Sequence, residues 1–337
     1  MSEMTNPETP TTTSAQATTE IQTAAPISPT RPPADEPAPK KKEPVLILTY
    51  GPSGSGKTTD NGYSFPNALF IAAPGALQSI RSTVGFEPNT TKAESISDVT
   101  KLINHIGSHR EKGGFTHIDS IVIDDFSFLT EQTFSLLEKK HKGGGFALWG
   151  ELRDQVMDFR NAARFAKVHI IMNAWEQPPK DRKGGGRVKG GPQLSGNLPE
   201  QVPAMFDMVL RCGFDTMRKP WSGVYQCSLD PNYIMKDRLH IASRCNPAPM
   251  NLAELLRAAG YAVSRRADAP WQEEVVETIA RRLLDAGPAQ DREQANTMFA
   301  TLRAKGISEP NVRWTIRDAL DRAVIRRAMA VQDNTFF

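Results

Sequence analysis

The sequence predicts an α/β protein built on a mostly parallel central sheet. Three observations carry this. Short apolar runs at residues 45–50, 68–72, 120–125 and 168–173 alternate with helical stretches. The first run flows into Gly51-Pro52-Ser53-Gly54-Ser55-Gly56-Lys57-Thr58, a G-x-x-x-x-G-K-[ST] loop of the kind that joins a strand to a helix. The third run ends in two carboxylates, Asp124-Asp125.

Each element can be justified in order. Residues 1–43 are rich in Thr, Pro, Ala and Glu, with no aromatic residue before Tyr50, and cannot bury enough apolar surface to offset their ordering entropy. They are expected to be disordered, with Lys40-Lys41-Lys42 a solvated tether end. The apolar run at 68–72 follows the glycine loop so closely that the helix between them has about two turns, ending at Pro66-Asn67. A helix is expected over 97–109, broken by Gly113-Gly114, then helices over 126–140 and 149–166 ahead of the strand at 168–173. His105 and His109, four apart, read as a solvated helix face. Residues 176–197 form a long Gly/Pro/Lys/Arg loop. Runs at 208–211, 224–227 and 233–236 read as later, antiparallel strands, and 251–260 as a small closing helix.

The remainder is helical. Asp268-Ala269-Pro270 starts a helix that Gly287-Pro288 stops, with Val275, Ile279 and Leu283 on one stripe. Another starts near Ser308-Glu309-Pro310, with Val312, Ile316, Leu320 and Val324 on one face. The expected organisation is a disordered tail (1–43), an α/β core (44–262) and a small helical C-terminal domain (263–337).

The 337 residues carry a formal charge of only +3, so a nucleic-acid surface would have to be local. Cys212, Cys227 and Cys245 are odd in number and form no C-x-x-C pair, which fits a reducing compartment and gives no zinc framework. No run reaches membrane-span length and no apolar signal core opens the chain, so no membrane partner is expected and the cytoplasm is the expected location.

The glycine loop sets the chemistry. Its backbone N–H groups form an anion nest for phosphates, assigning Gly51, Pro52, Ser53, Gly54, Ser55, Gly56, Lys57, Thr58 and Thr59 to nucleotide binding. Lys57 reaches the β- and γ-phosphates and Thr58 ligates Mg²⁺. Asp124, after its apolar strand, fits the Walker B pattern and is the second metal-side residue; a plain strand-end Asp is the alternative. Asp125 is a candidate to orient or deprotonate water, or else a helix N-cap. Asn173, at the carboxyl end of the next strand, is placed to sense the γ-phosphate, or is a strand-end turn residue.

These motifs together resemble the RecA-like P-loop ATPases, and more narrowly the core-only, phage-type members acting in single-strand annealing and recombination. The resemblance covers residues 44–260. It rests on the P-loop, the short helix to Leu69-Phe70-Ile71, the Asp124-Asp125 strand and Ile170-Ile171-Met172-Asn173-Ala174. It also rests on Pro192-Gln193-Leu194-Ser195-Gly196-Asn197-Leu198-Pro199 leading into Phe206-Asp207-Met208-Val209, and on Lys236-Asp237-Arg238. It implies an ATP- and Mg²⁺-dependent homo-oligomer, ring or filament, that binds single-stranded DNA, in a bacterial host cell if phage-encoded. By the same likeness Arg238, with Lys236 second, is a finger for a neighbouring copy's nucleotide; a surface strand charge is the alternative. One departure stands out. The family's catalytic Glu follows the strand corresponding to Leu69-Phe70-Ile71, where this chain reads Ala72-Ala73-Pro74-Gly75.

RecA-like proteins place DNA-binding loops after the Walker B helix and after the next strand. Here these are Lys139-Lys140-His141-Lys142-Gly143-Gly144-Gly145 and the segment 180–189, giving Lys140, Lys142, Arg182, Lys183, Arg187 and Lys189 as candidate phosphate contacts. Phe146 and Trp149 are candidates to stack on bases or to pack in the core. Solvated flexible connections are the alternative for both loops. Competing functions are another P-loop DNA motor, of helicase-loader or packaging type, and a nucleotide-gated DNA-binding scaffold with little hydrolysis.

Overall fold

The computed structural model describes residues 42–73, 75–142, 145–181, 186–196, 198–214, 223–227, 230–264 and 273–333. Almost all of the 1–43 tail, Pro74, Gly143, Gly144, Arg182, Lys183, Asn197 and the helix-start signal at 268–270 lie outside the described residues.

Every residue of β1 (Leu46–Tyr50) is buried. The glycine loop turns the chain into α1 (Lys57–Ser64), two turns long as expected; Phe65 bonds back to Asn61 O, and Pro66 has no N–H to continue the helix. β2 (Ala68–Ala72) follows, then a π-helical turn at Ile80–Val84 and a short strand, β3 (Asn89–Thr91). Ser95 opens α2 (Ile96–Arg110), its hydroxyl accepting the Asp98 N–H. β4 (Ser120–Asp124) leads into α3 (Phe126–Lys140). α4 (Phe146–Phe165) starts one turn earlier than the expected Trp149, directly after Gly145, and leads into β5 (His169–Ala174).

The expected long loop after β5 contains a two-step hairpin. β6 (Glu176–Gln177), β7 (Lys180–Asp181), β8 (Arg187–Val188) and β9 (Gly191–Pro192) pair as β6 with β9 and β7 with β8. A short helix, α5 (Leu198–Gln201), precedes β10 (Met208–Phe214), β11 (Gly223–Gln226), β12 (Lys236–Asp237) and β13 (Ala248–Pro249). Among the described residues four α-helices follow: α6 (Leu252–Ala258), α7 (Glu273–Ala286), α8 (Asp291–Ala304) and α9 (Glu309–Asp333).

The main sheet runs β13-β11-β10-β1-β5-β4-β2-β3, with β12 pairing β10. One expectation is corrected. The run at 208–211 is parallel to β1, not antiparallel, with Ile47 opposite Met208 and Tyr50 opposite Arg211. Asp207 sets this alignment: its N–H bonds Leu46 O at 2.9 Å and its Oδ2 accepts the Leu46 N–H at 2.9 Å, so both strands start at one end. β11 and β12 are antiparallel to β10, as expected. The 233–236 run is strand only from Lys236, because Ile234 donates its N–H to Gly190 O instead. Gly190 is needed there: a Cβ would lie 2.7 Å from the Tyr233 ring.

Strand periodicity divides the core into two layers. Ile47, Phe70, Val122, Ile171 and Met208 face α1, α6 and the C-terminal helices, while Leu48, Ile71, Ile123, Met172 and Val209 face α2, α3 and α4. α9 packs against α6, α7 and α8. Burial reaches well beyond the Val312/Ile316 stripe, because Trp314, Thr315, Arg317, Asp318, Ala319, Asp321 and Arg322 are all buried too. These charges are paired: Arg322, 2% exposed, bonds Asp318 at 2.7 Å, and Asp318 also accepts from Asn251 Nδ2 at 2.9 Å.

Candidate functional site

The sheet order places the carboxyl ends of β1, β5 and β4 side by side. Thr49 lies opposite Asn173 and Ile123 opposite Met172, so Asn173 stands between the glycine loop and Asp124. This arrangement follows from strand register alone. The side chains then close on each other: Asn173 Oδ1 accepts from Thr49 Oγ1 at 2.7 Å and from Asn61 Nδ2 at 2.9 Å, the latter from α1. Asn173 is thereby fixed to the floor of the site.

The loop is shaped for phosphate. Gly54 and Gly56 have φ of 78° and 93°, which L side chains rarely adopt, and nothing lies within 4 Å of a Cβ built on Gly54. Gly51 is tightly enclosed, with Cys212 O 2.7 Å from where its Cβ would be. α1 starts from Gly56 with no side-chain cap, leaving the first-turn N–H groups directed outward at the positive dipole end. Lys57 Nζ donates to Gly51 O at 2.8 Å, Pro52 O at 3.0 Å and Ser55 Oγ at 3.3 Å, within the loop it serves.

Asp124 is 4% exposed, and its Oδ2 has no hydrogen-bond partner among the described residues. Burial pushes its pKa up, while the Thr58 hydroxyl, the Asn173 amide and Lys57 draw it partly back. The Asn173 Nδ2 likewise completes no hydrogen bond of normal geometry. An orphaned buried carboxylate oxygen facing a threonine hydroxyl is a hard-oxygen donor pair, and it fits Mg²⁺. Asp125 caps α3: its Oδ1 accepts the Phe128 N–H at 2.7 Å. Burial, with Asp124 adding, pushes its pKa up to about 6 against the Phe128 bond and Lys57.

Arg238 and Lys236 lie at the other end of the sheet. The Arg238 N–H bonds Asp207 O, and Asp207 is paired with Leu46 at the start of β1. Five residues of strand, roughly 16 Å, separate that point from Gly51. Arg238 thus cannot serve its own chain's phosphates. Its side chain is 59% exposed and 3.9 Å from Asp207, whose carboxylate is already held by Arg164 through two 2.8 Å bonds. Lys236 is committed to backbone, donating to Phe206 O at 2.7 Å and Ala204 O at 3.0 Å.

The basic loops differ. The paired strands β6 to β9 follow the carboxyl end of β5 as a hairpin, and Arg187 and Lys189 are exposed on it. Its base is anchored by Arg211, which bonds Glu176 at 2.9 Å and stacks 3.8 Å from the Tyr233 ring centroid. In the loop after α3, Lys142 is exposed, but Lys140 is paired to Glu151 at 2.7 Å, and His141 reaches the same carboxylate at 2.8 Å. Trp149 packs 5.0 Å from Phe134 and covers Gly196, whereas Phe146 is 98% exposed.

Two contributors had no motif to reveal them. Asn61 matters only through the α1–β5 contact. Glu94, after β3, lines a cavity beside Asp124 and Asp125. Only its strand's place next to β2 brings it there.

A strand, a glycine loop on an uncapped helix and a buried strand-end carboxylate on a parallel sheet define a P-loop ATPase domain. The chain belongs to the AAA-domain family, whose model matches residues 43–239, more than half of the 337 residues. Nucleotide binding follows from that membership. No curated protein matches the chain. α6 to α9 lie beyond the matched segment.

Proposed function

We propose that the protein is a Mg²⁺-dependent, ATP-hydrolysing DNA-binding protein that acts on single-stranded DNA in annealing or recombination as a homo-oligomer. One juxtaposition carries the reading: the phosphate loop, Asn173 and Asp124 share one end of the sheet with the exposed basic hairpin that follows Asn173.

The residues take distinct parts. The N–H groups of loop 51–59 hold the phosphates, and Lys57 turns from its loop carbonyls to the terminal phosphates. Thr58 and Asp124 hold the metal, which when bound neutralises charge on the phosphates. Asn173, fixed by Thr49 and Asn61, presents its amide to the same space. Arg187 and Lys189, with Arg182 and Lys183 outside the described residues, contact DNA phosphates. Arg238 serves a neighbouring copy's nucleotide.

A nucleotide-gated DNA scaffold with little hydrolysis is the second reading, favoured by one observation: Asp125 is held as a helix cap. Steady-state phosphate release with and without single-stranded DNA, alongside DNA binding with and without ATP, separates the two. DNA-stimulated release supports the first reading; nucleotide-dependent DNA binding without release supports the second. Absence of DNA binding removes both.

A further inference from the structure

A cavity of about 260 Å³ opens beside Asp124, with Ala73, Lys92, Glu94, Asp125 and Gln132 among its lining residues. Asp124 stands in its wall, nearly inaccessible, with Oδ2 unpartnered among the described residues. A buried, unsatisfied carboxylate oxygen on a lining residue calls for a cation or polar partner. Asp125 opens on the same space, but its carboxylate is held by the α3 backbone.

Glu94 is differently placed. It is exposed and makes no hydrogen bond or ion pair among the described residues. β3 lies parallel to β2 with Ile71 opposite Thr91. The segments that leave the two strands, Ala72-Ala73 after β2 and Lys92-Ala93-Glu94 after β3, both line the cavity, and of the two only the second carries a carboxylate. Ser95, the next residue, is locked as the cap of α2 by the Asp98 N–H at 3.2 Å, which fixes the backbone from which Glu94 projects. The bend between β3 and α2 thus brings an acidic group to the cavity that Asp124 lines.

We propose that Glu94 is the group that accepts the proton of the attacking water when a bound nucleoside triphosphate is hydrolysed, an assignment that rests on the hydrolytic reading above. The water oxygen bonds to the terminal phosphorus. The bond from that phosphorus to the bridging oxygen breaks, and its electron pair leaves with the diphosphate. The water's proton passes to Glu94 and then to solvent, so triphosphate and water give diphosphate and inorganic phosphate. Lys92, Asp124 and Asp125 are the other charged residues that line this cavity among the described residues.

The test compares wild type, Glu94→Gln and Asp125→Asn in the full chain, measuring ATP affinity by equilibrium binding and phosphate release at saturating ATP and Mg²⁺ with single-stranded DNA. Glu94→Gln is expected to keep wild-type affinity and to lose about 100-fold or more in turnover, the range a general base contributes. Turnover in Glu94→Gln within about threefold of wild type overturns the assignment, and a large loss in Asp125→Asn alone gives the role to Asp125. Parallel loss of affinity and turnover also overturns it, because Glu94 then belongs to binding. A wild-type protein that binds ATP but releases no phosphate removes the hydrolytic reading itself, and this assignment with it.

Discussion

Tyr63 on α1 and Trp314 on α9 stack with ring centroids 5.0 Å apart and planes 17° apart. Arg317 lies over both rings, at 5.4 Å and 4.9 Å, and the Trp314 indole donates to Thr83 O at 3.1 Å. Asp60, on the same short helix, accepts from the Tyr225 hydroxyl and the Leu252 N–H. The helix that begins at Lys57 is thus gripped from beneath by the C-terminal part of the chain, so its mouth is aimed by residues more than 250 positions downstream.

Trp314→Ala removes a side chain only 3% exposed and should cost about 3–5 kcal/mol. Trp314→Phe keeps a ring on Tyr63 but loses the Thr83 bond, and should cost less. Denaturant midpoints at constant m check both; a midpoint unchanged in the alanine variant contradicts the grip on α1.

Lys57→Ala should weaken ATP binding by about 100-fold or more, the equivalent of roughly 3 kcal/mol for a lost charge-assisted contact. Equilibrium titration with a fluorescent ATP analogue reads this directly. Wild-type affinity in that variant removes the phosphate-loop assignment.

Asp207 gives a pH signature away from the nucleotide. Burial pushes its pKa up, but the Arg164 fork, the Leu46 N–H and Arg238 outweigh this and hold it below the usual 3.8. A depressed carboxylate stabilises the fold above its unfolded pKa, and that stability is lost as pH falls through the folded value. Wild type should therefore exceed Asp207→Asn in melting temperature at neutral pH, with the gap closing below about pH 4. A gap independent of pH rules out this pairing as a source of stability.

Neutralising Arg182, Lys183, Arg187 and Lys189 together should flatten the salt dependence of single-strand binding by up to about 3 in log–log slope. Glu151→Gln should act oppositely, because it releases Lys140 and His141 from a carboxylate they now share. An unchanged slope in the fourfold variant moves the DNA contact elsewhere.

Much of the core was legible because its signals are local. Two-turn α1, the apolar strands and the Asp124 strand end are each read within a dozen residues. The direction of β10 was not, because Asp207 and Leu46 set it across 161 positions. β3 spans only three residues, too few to show a period, and Glu94 was missed with it. The two roles weighed for Asp125 are not exclusive in position: it caps α3 and still faces the cavity. α9 defeated the one-stripe expectation because ionic partners, including Asp318 with Arg322, satisfy its buried charges, and no apolar periodicity records that.

Arg238 and Lys57 sit at opposite ends of β1, too far apart to meet within one chain. A reaction needing both is therefore a property of a contact, and a contact between unlike ends has a direction. With Arg238 in the proposed role, an open row of copies would leave one terminal pocket without its arginine, and only closure into a circle would complete every one. The specific rate per chain would then climb with protein concentration, and a mixture of Lys57→Ala and Arg238→Ala chains would regain activity that neither variant shows alone.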